Sequence, residues 1–114
     1  MRLYTRYLFV KHDAAGALLA MPAHHALSRI GELGDGWALI EAEFDGVQFD
    51  AYAGDTDNYL MLPSLQAPAD RLKDTHTAIF TAHGVTVTAG DTAVNLLRKL
   101  RDVKGFVRKI DAAS

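Results

Sequence analysis

Two carboxylates, Glu41 and Asp50, with Glu43 close by, are the residues whose types and spacing come nearest to a reactive site. They are brought together by an expectation about the backbone. Asp45-Gly46 is the dipeptide that a two-residue type I′ turn selects, because both central residues need positive φ. A hairpin closed there pairs Phe44 with Val47, Ala42 with Phe49, Ile40 with Ala51 and Ala38 with Ala53 on one apolar face. On the other face Glu43 meets Gln48, Glu41 meets Asp50, Leu39 meets Tyr52 and Trp37 stands opposite Gly54. Like charges so placed repel by roughly 1 kcal/mol even in water. The pair therefore suits a hard cation or a partner's lysine or arginine. The plainer reading is a solvated face, or one covered by the basic C-terminal helix.

The remaining chemistry is thinner. Asp55-Thr56-Asp57-Asn58 resembles part of a calcium loop, but it lacks glycine at the sixth position and glutamate at the twelfth, where Gln66 stands. A polar turn explains it. Of the five histidines, His24 and His25 are adjacent and point apart on a helix, while His76 and His83 are two turns apart; no metal-ligand spacing recurs. His12-Asp13 reads as turn chemistry. Ser28, Ser64 and Ser114 lack a nucleophile setting, and no glycine-rich phosphate loop is present. Gly90-Asp91-Thr92 could present amides to an anion, yet Asp91 and Thr92 serve better as helix caps. With no cysteine, a disulfide framework, a thiolate metal site and a cysteine nucleophile are all excluded.

Charge is unevenly spread. From Ile30 to Ala69 there are eight acidic residues and no lysine or arginine, whereas Arg98 to Lys109 holds six basic residues against Asp102 alone. The basic run is the one nucleic-acid-like feature, and it carries no aromatic interleaving beyond Phe106. A solvated helix face or a clamp over the acidic sheet accounts for it more simply. Trp37, Leu39 and Tyr52 on the sheet's second face, with Glu41, Asp50, Arg98 and Arg101, are the candidate partner-binding residues, since large apolar groups there need a covering helix or a partner.

The elements that position these residues follow from periodicity. Residues 2 to 11 suit a strand, Asp13 to Gly16 a turn, and Ala17 to Met21 a short return. Pro22 opens a helix in which Ala23, Ala26, Leu27, Ile30 and Leu33 share a face and Gly34 caps the end. After the central hairpin, Tyr59 to Leu62 adds a third antiparallel strand that Pro63 ends. Residues 69 to 83 read as a helix with Gly84 as its C′ residue, in competition with half a hairpin that includes Val85 to Thr88. Val85 to Thr88 is a strand either way. A C-terminal helix follows the Asp91-Thr92 cap, with Ala93, Leu96, Leu97, Leu100 and Val103 on its apolar stripe and Gly105 at its end; residues 111 to 114 should fray. The fold class is thus α+β: an antiparallel sheet of two hairpin or meander units, about five to six strands, with two or three helices on one face. This order is similar to that of small profilin-like or longin-like sandwiches, a likeness of element order alone.

A chain of 114 residues suits a single domain, and 49% apolar with 23% charged residues is the composition of a soluble globular protein. The N-terminus has two arginines but no continuous apolar stretch, so it reads as mature protein rather than a signal peptide. The leading expectation is a small, non-enzymatic, cytoplasmic module that binds another protein or itself as a homodimer and uses no cofactor. The competing class is a metal-binding or hydrolytic enzyme built on Glu41, Asp50 and a histidine. Weak nucleic-acid binding through the C-terminal helix is the third.

Overall fold

A computed structural model describes residues 2–52, 56–108 and 110. The chain is α+β, with one antiparallel four-stranded sheet and three α-helices among the described residues, and it divides into two compact units, Met1–Met61 and Leu62–Ser114.

The first unit is the sheet. Strands β1 (Leu3–Lys11), β2 (Ala26–Glu32), β3 (Trp37–Asp45) and β4 (Tyr59–Met61) lie in the order β2-β3-β1-β4. β3 pairs with β1 along its whole length, from Leu3 opposite Asp45 to Lys11 opposite Trp37. Period-two alternation then puts Leu8 and Val10 on one face with Ala38, Ile40, Ala42 and Phe44. Tyr59 and Met61 of β4 complete that buried cluster, onto which Leu18, Met21 and Phe49 pack.

The hairpin expected at Asp45-Gly46 is absent. The reason lies in β3 itself: β1 occupies one edge and β2 the other, so no edge is left for a return strand. Helix α1 (Gly46–Tyr52) follows instead. Asp45 is its cap: the Gln48 amide donates to Asp45 Oδ1 at 2.9 Å, and Gln48 Oε1 accepts from the Asp45 amide at 3.0 Å. That reciprocal pair is a capping box, and it satisfies two backbone donors at the helix start. The expected pairings of residues 37–44 with 47–54 fall with the hairpin, and Ala53 and Gly54 lie outside the described residues.

The helix expected from Pro22 to Gly34 is also replaced. Its helical spacing is real, but Ala26–Glu32 is β2, which forms a hairpin with β3. Gly34 and Gly36 take φ of 99° and 88°, and the Leu33 amide donates to Trp37 O at 2.9 Å, closing the loop. A bulge between Arg29 and Gly31 slips the register by one residue at Ile30, which is buried. The return strand expected over Ala17–Met21 is reduced to a single bridge between His12 and Leu18. Residues 59–61 form a strand as expected, but it pairs with β1. Among the described residues, four strands and one consecutive hairpin therefore stand in place of five to six strands in two hairpin units.

The second unit holds a 3-10 turn at Ala69–Arg71, then α2 (Asp74–Ala82) and α3 (Ala93–Lys104). The helix reading of 69–83 holds from Asp74 onward. Its end is a Schellman motif: the Val85 amide donates to Phe80 O at 2.9 Å and the Gly84 amide to Thr81 O at 3.2 Å, with Gly84 at φ 88°. Val85 to Thr88 is not a strand, because Val85 is spent on that motif and Thr88 on Asp91. Thr92 caps α3 and Gly105, at φ 74°, ends it. Ala93, Leu96, Leu97 and Leu100 are buried as the stripe requires, whereas Val103 is exposed. Residues 111–114 lie outside the described residues.

Candidate functional site

The first unit carries an open cleft of about 500 Å³ where β1 begins and α1 departs, lined by Arg2, Tyr4, Asp45, Gly46, Val47 and Asp50. Alternation along β1 puts Tyr4 and Arg6 on one face, and Arg2, just before the strand, lines the same cleft as Tyr4. The capping box aims α1 across the same corner, so that Phe49 stacks on Tyr4 with centroids 4.9 Å apart and planes 13° from parallel. Arginines clamp the stack: Arg2 Cζ lies 4.9 Å from the Tyr4 centroid, and Arg6 Cζ lies 4.8 Å from Phe49 and 6.0 Å from Tyr4. Arg6 Nη1 also donates to Thr5 O at 2.8 Å. Burial pulls the Arg6 guanidinium below its ordinary value, and Tyr4 opposes that shift. The stack docks α1 on the sheet. What it leaves open is Val47, 82% exposed, and Asp50, three residues on along the same helical face.

Of the residues expected to bind a partner, the structure brings few together. Asp50 lines the cleft. Glu41 is on β3, paired with Tyr7 and Ser28, and its Oε2 accepts the Tyr7 hydroxyl at 2.6 Å, so the Glu41–Asp50 pair does not form on a hairpin. Leu39 is fully buried. Trp37 is half-buried and opposite Lys11, whose Nζ lies 5.2 Å from the indole ring. Tyr52 ends α1, and its side chain lies outside the described residues.

Arg98 and Arg101 project from α3. Arg98 Nε donates to Ile110 O at 3.1 Å, and Arg101 Nη2 lies 3.3 Å from Asp102 Oδ1. Lys99 is held too, with Nζ 2.7 Å from Asp91 Oδ2 and 3.0 Å from Thr86 O. Much of the basic run is thus committed to the second unit's own carbonyls and carboxylates. Asp91 Oδ2 also accepts from the Thr88 amide and hydroxyl, at 3.0 and 2.9 Å. The Lys99 hydrogen bond, then that of the Thr88 amide, hold the Asp91 carboxyl below the usual carboxylate range.

The histidines are dispersed. His12 Nε2 lies 2.5 Å from Glu32 Oε2, whose other oxygen takes Arg29 at 2.6 Å, while Arg29 Nη1 donates to Gly16 O. Asp13 Oδ1 accepts the amides of Ala15 and Ala17, which is turn chemistry. Together these contacts tie the turn to the end of β2. His76 is buried in α2 and His83 ends that helix. Among the described residues no group of three histidine, aspartate or glutamate side chains is placed to hold a metal ion. The calcium-like fragment is partly outside the described residues at Asp55, and Thr56 Oγ1 accepts the amides of Asn58 and Tyr59 as a turn does.

Sequence reasoning missed Arg2, Tyr4 and Val47 as cleft residues. Two signals pointed to them: Arg2, Tyr4 and Arg6 alternate on a strand, and Asp45-Gly46-Val47-Gln48 has capping-box spacing hidden under the hairpin dipeptide. No family model, no curated protein and no solved structure matches the chain. Among the described residues no helix is long and apolar enough to cross a membrane.

Proposed function

We propose that this chain is a small non-enzymatic protein-interaction module, acting in the cytoplasm, that binds another protein or a second copy of itself through the cleft beside α1. The observation that carries the reading is the exposure of Val47 at the lip of a cleft with an aromatic wall and charged residues around it. A large aliphatic side chain left in solvent beside an arginine and a tyrosine is the composition of an interface centre. The open shape favours a protein surface over an enclosed metabolite. The absence of cysteine suits the cytoplasm.

The test is site-directed photocrosslinking in cells. A photoreactive amino acid in place of Val47 should yield discrete protein adducts, which mass spectrometry assigns to a partner or to a second copy. The same group in place of exposed Asp70, in the second unit, is the control. Val47 adducts no more abundant than those of the control would refute the reading.

A further inference from the structure

Resting on that interaction reading, we infer that the cleft receives a lysine or arginine side chain of its protein partner, with Asp50 as the anion that selects it. The first support is the disposition of charge within residues 1–61. Nine carboxylates are present there against four lysines and arginines. Each of the four is engaged: Arg2 on Tyr4, Arg6 on Phe49 and Thr5 O, Lys11 on Trp37 and Arg29 on Glu32. Such an excess attracts cations over several ångströms and disfavours an acidic partner.

Asp50 is where that excess is available. Asp45, the other carboxylate of the cleft, spends Oδ1 on the Gln48 amide. Asp50 is exposed, and its side chain has no hydrogen bond or ion pair to another described residue. Arg2 lies against the Tyr4 ring and does not reach either carboxylate as an ion pair, so the cleft keeps two negative charges to one positive.

The apolar lining narrows the choice. Val47 and Asp50 share one face of α1, one turn apart. A lysine or arginine has a methylene stem and a charged head, so its stem can lie on Val47 while its head reaches Asp50. A metal ion or small ammonium would leave Val47 uncovered. An incoming flat ring finds Tyr4 already engaged by Phe49 and Arg2.

The probes are two blocked pentapeptides, acetyl-Gly-Leu-Arg-Leu-Gly-amide and its glutamate-centred counterpart, titrated to millimolar concentration into the full ¹⁵N-labelled chain. The arginine peptide should shift the amide signals of Val47 and Asp50 in a saturable way. The glutamate peptide should bind about two- to fivefold more weakly or not at all, and Asp50→Asn should remove that preference, since an exposed ion pair is worth this much. Asp50 is solvent-exposed and outside the capping box, so the variant keeps its fold, which its melting temperature confirms. Equal or tighter binding of the glutamate peptide would overturn the inference, as would an unchanged preference in Asp50→Asn or no saturable shift with either peptide. If Val47 crosslinks to a protein while the peptides show no preference for arginine, this inference fails and the interaction reading stands; if Val47 adducts are also missing, both fail.

Discussion

Gly46→Ala separates the two backbone conformations that Asp45-Gly46 can adopt, because they predict opposite signs. In a type I′ hairpin Gly46 would need positive φ, and a β-carbon there costs roughly 1–2 kcal/mol. In the structure Gly46 is the first residue of α1, it is not among the glycines of positive φ, and an added β-carbon meets nothing within 4 Å. Alanine then fits without strain and reduces the freedom of the unfolded chain, a gain of about 0.4–1 kcal/mol. At the first helical position the lower half of that range applies. For a chain of this length the corresponding rise in melting temperature is roughly 2–4 °C. Circular dichroism melts and urea midpoints of wild type and variant read it directly. A fall in both measures would mean that Gly46 needs a left-handed backbone, and the capping-box account of α1 would be wrong.

Two further outcomes follow from particular side chains. Leu39→Ala removes a fully buried side chain from the central strand and should cost about 2–5 kcal/mol in urea unfolding; unchanged stability would return Leu39 to the surface. Asp91 is held below the usual carboxylate range by Lys99 and then Thr88, so the stability it contributes is complete above its unfolded value near pH 4 and is lost as pH falls through its lower folded value. Melts of Asp91→Asn should therefore show a lower plateau near pH 6 and a flatter decline below about pH 4 than wild type; parallel curves would refute the assignment.

What was legible in the sequence were the features a few neighbouring residues decide. Gly84 and Gly105 end helices where expected, and Thr92 caps one, because each acts on backbone groups within a single turn. Tyr59 to Met61 was identifiable as a strand by its β-forming residues. Its partner was not, since pairing with β1 joins residues some fifty positions apart and leaves no local trace. The same limit explains Ala26–Glu32: Ala26, Leu27, Ile30 and Leu33 have helical spacing, but β3 offers this stretch a ladder, and two glycines of positive φ close the turn. Ile30 and Leu33 of that set are buried, whereas Ala26 and Leu27 are exposed, so the helical spacing gave the wrong partner and also a face that the strand does not bury as one. At the site, the hairpin dipeptide places Asp50 opposite Glu41, whereas in the structure Asp50 lies on α1 beside the cleft. Its cleft is built with Arg2 and Tyr4 from the far end of the unit's sequence.

The capping box and the cleft are one structural event. A strand with both edges filled cannot be followed by a hairpin return, so the chain must leave the sheet at Asp45. Asp45 makes that departure favourable by accepting the Gln48 amide, and the helix it starts carries Phe49 onto Tyr4. Once Phe49 faces the core, helical geometry requires Val47 and Asp50 to lie on a different face. An apolar and an anionic side chain are thereby exposed together beside the first residues of β1. The capping substitution Asp45→Ala should therefore disturb the cleft as well as cost about 1 kcal/mol of stability, whereas Asp50→Asn should alter binding alone.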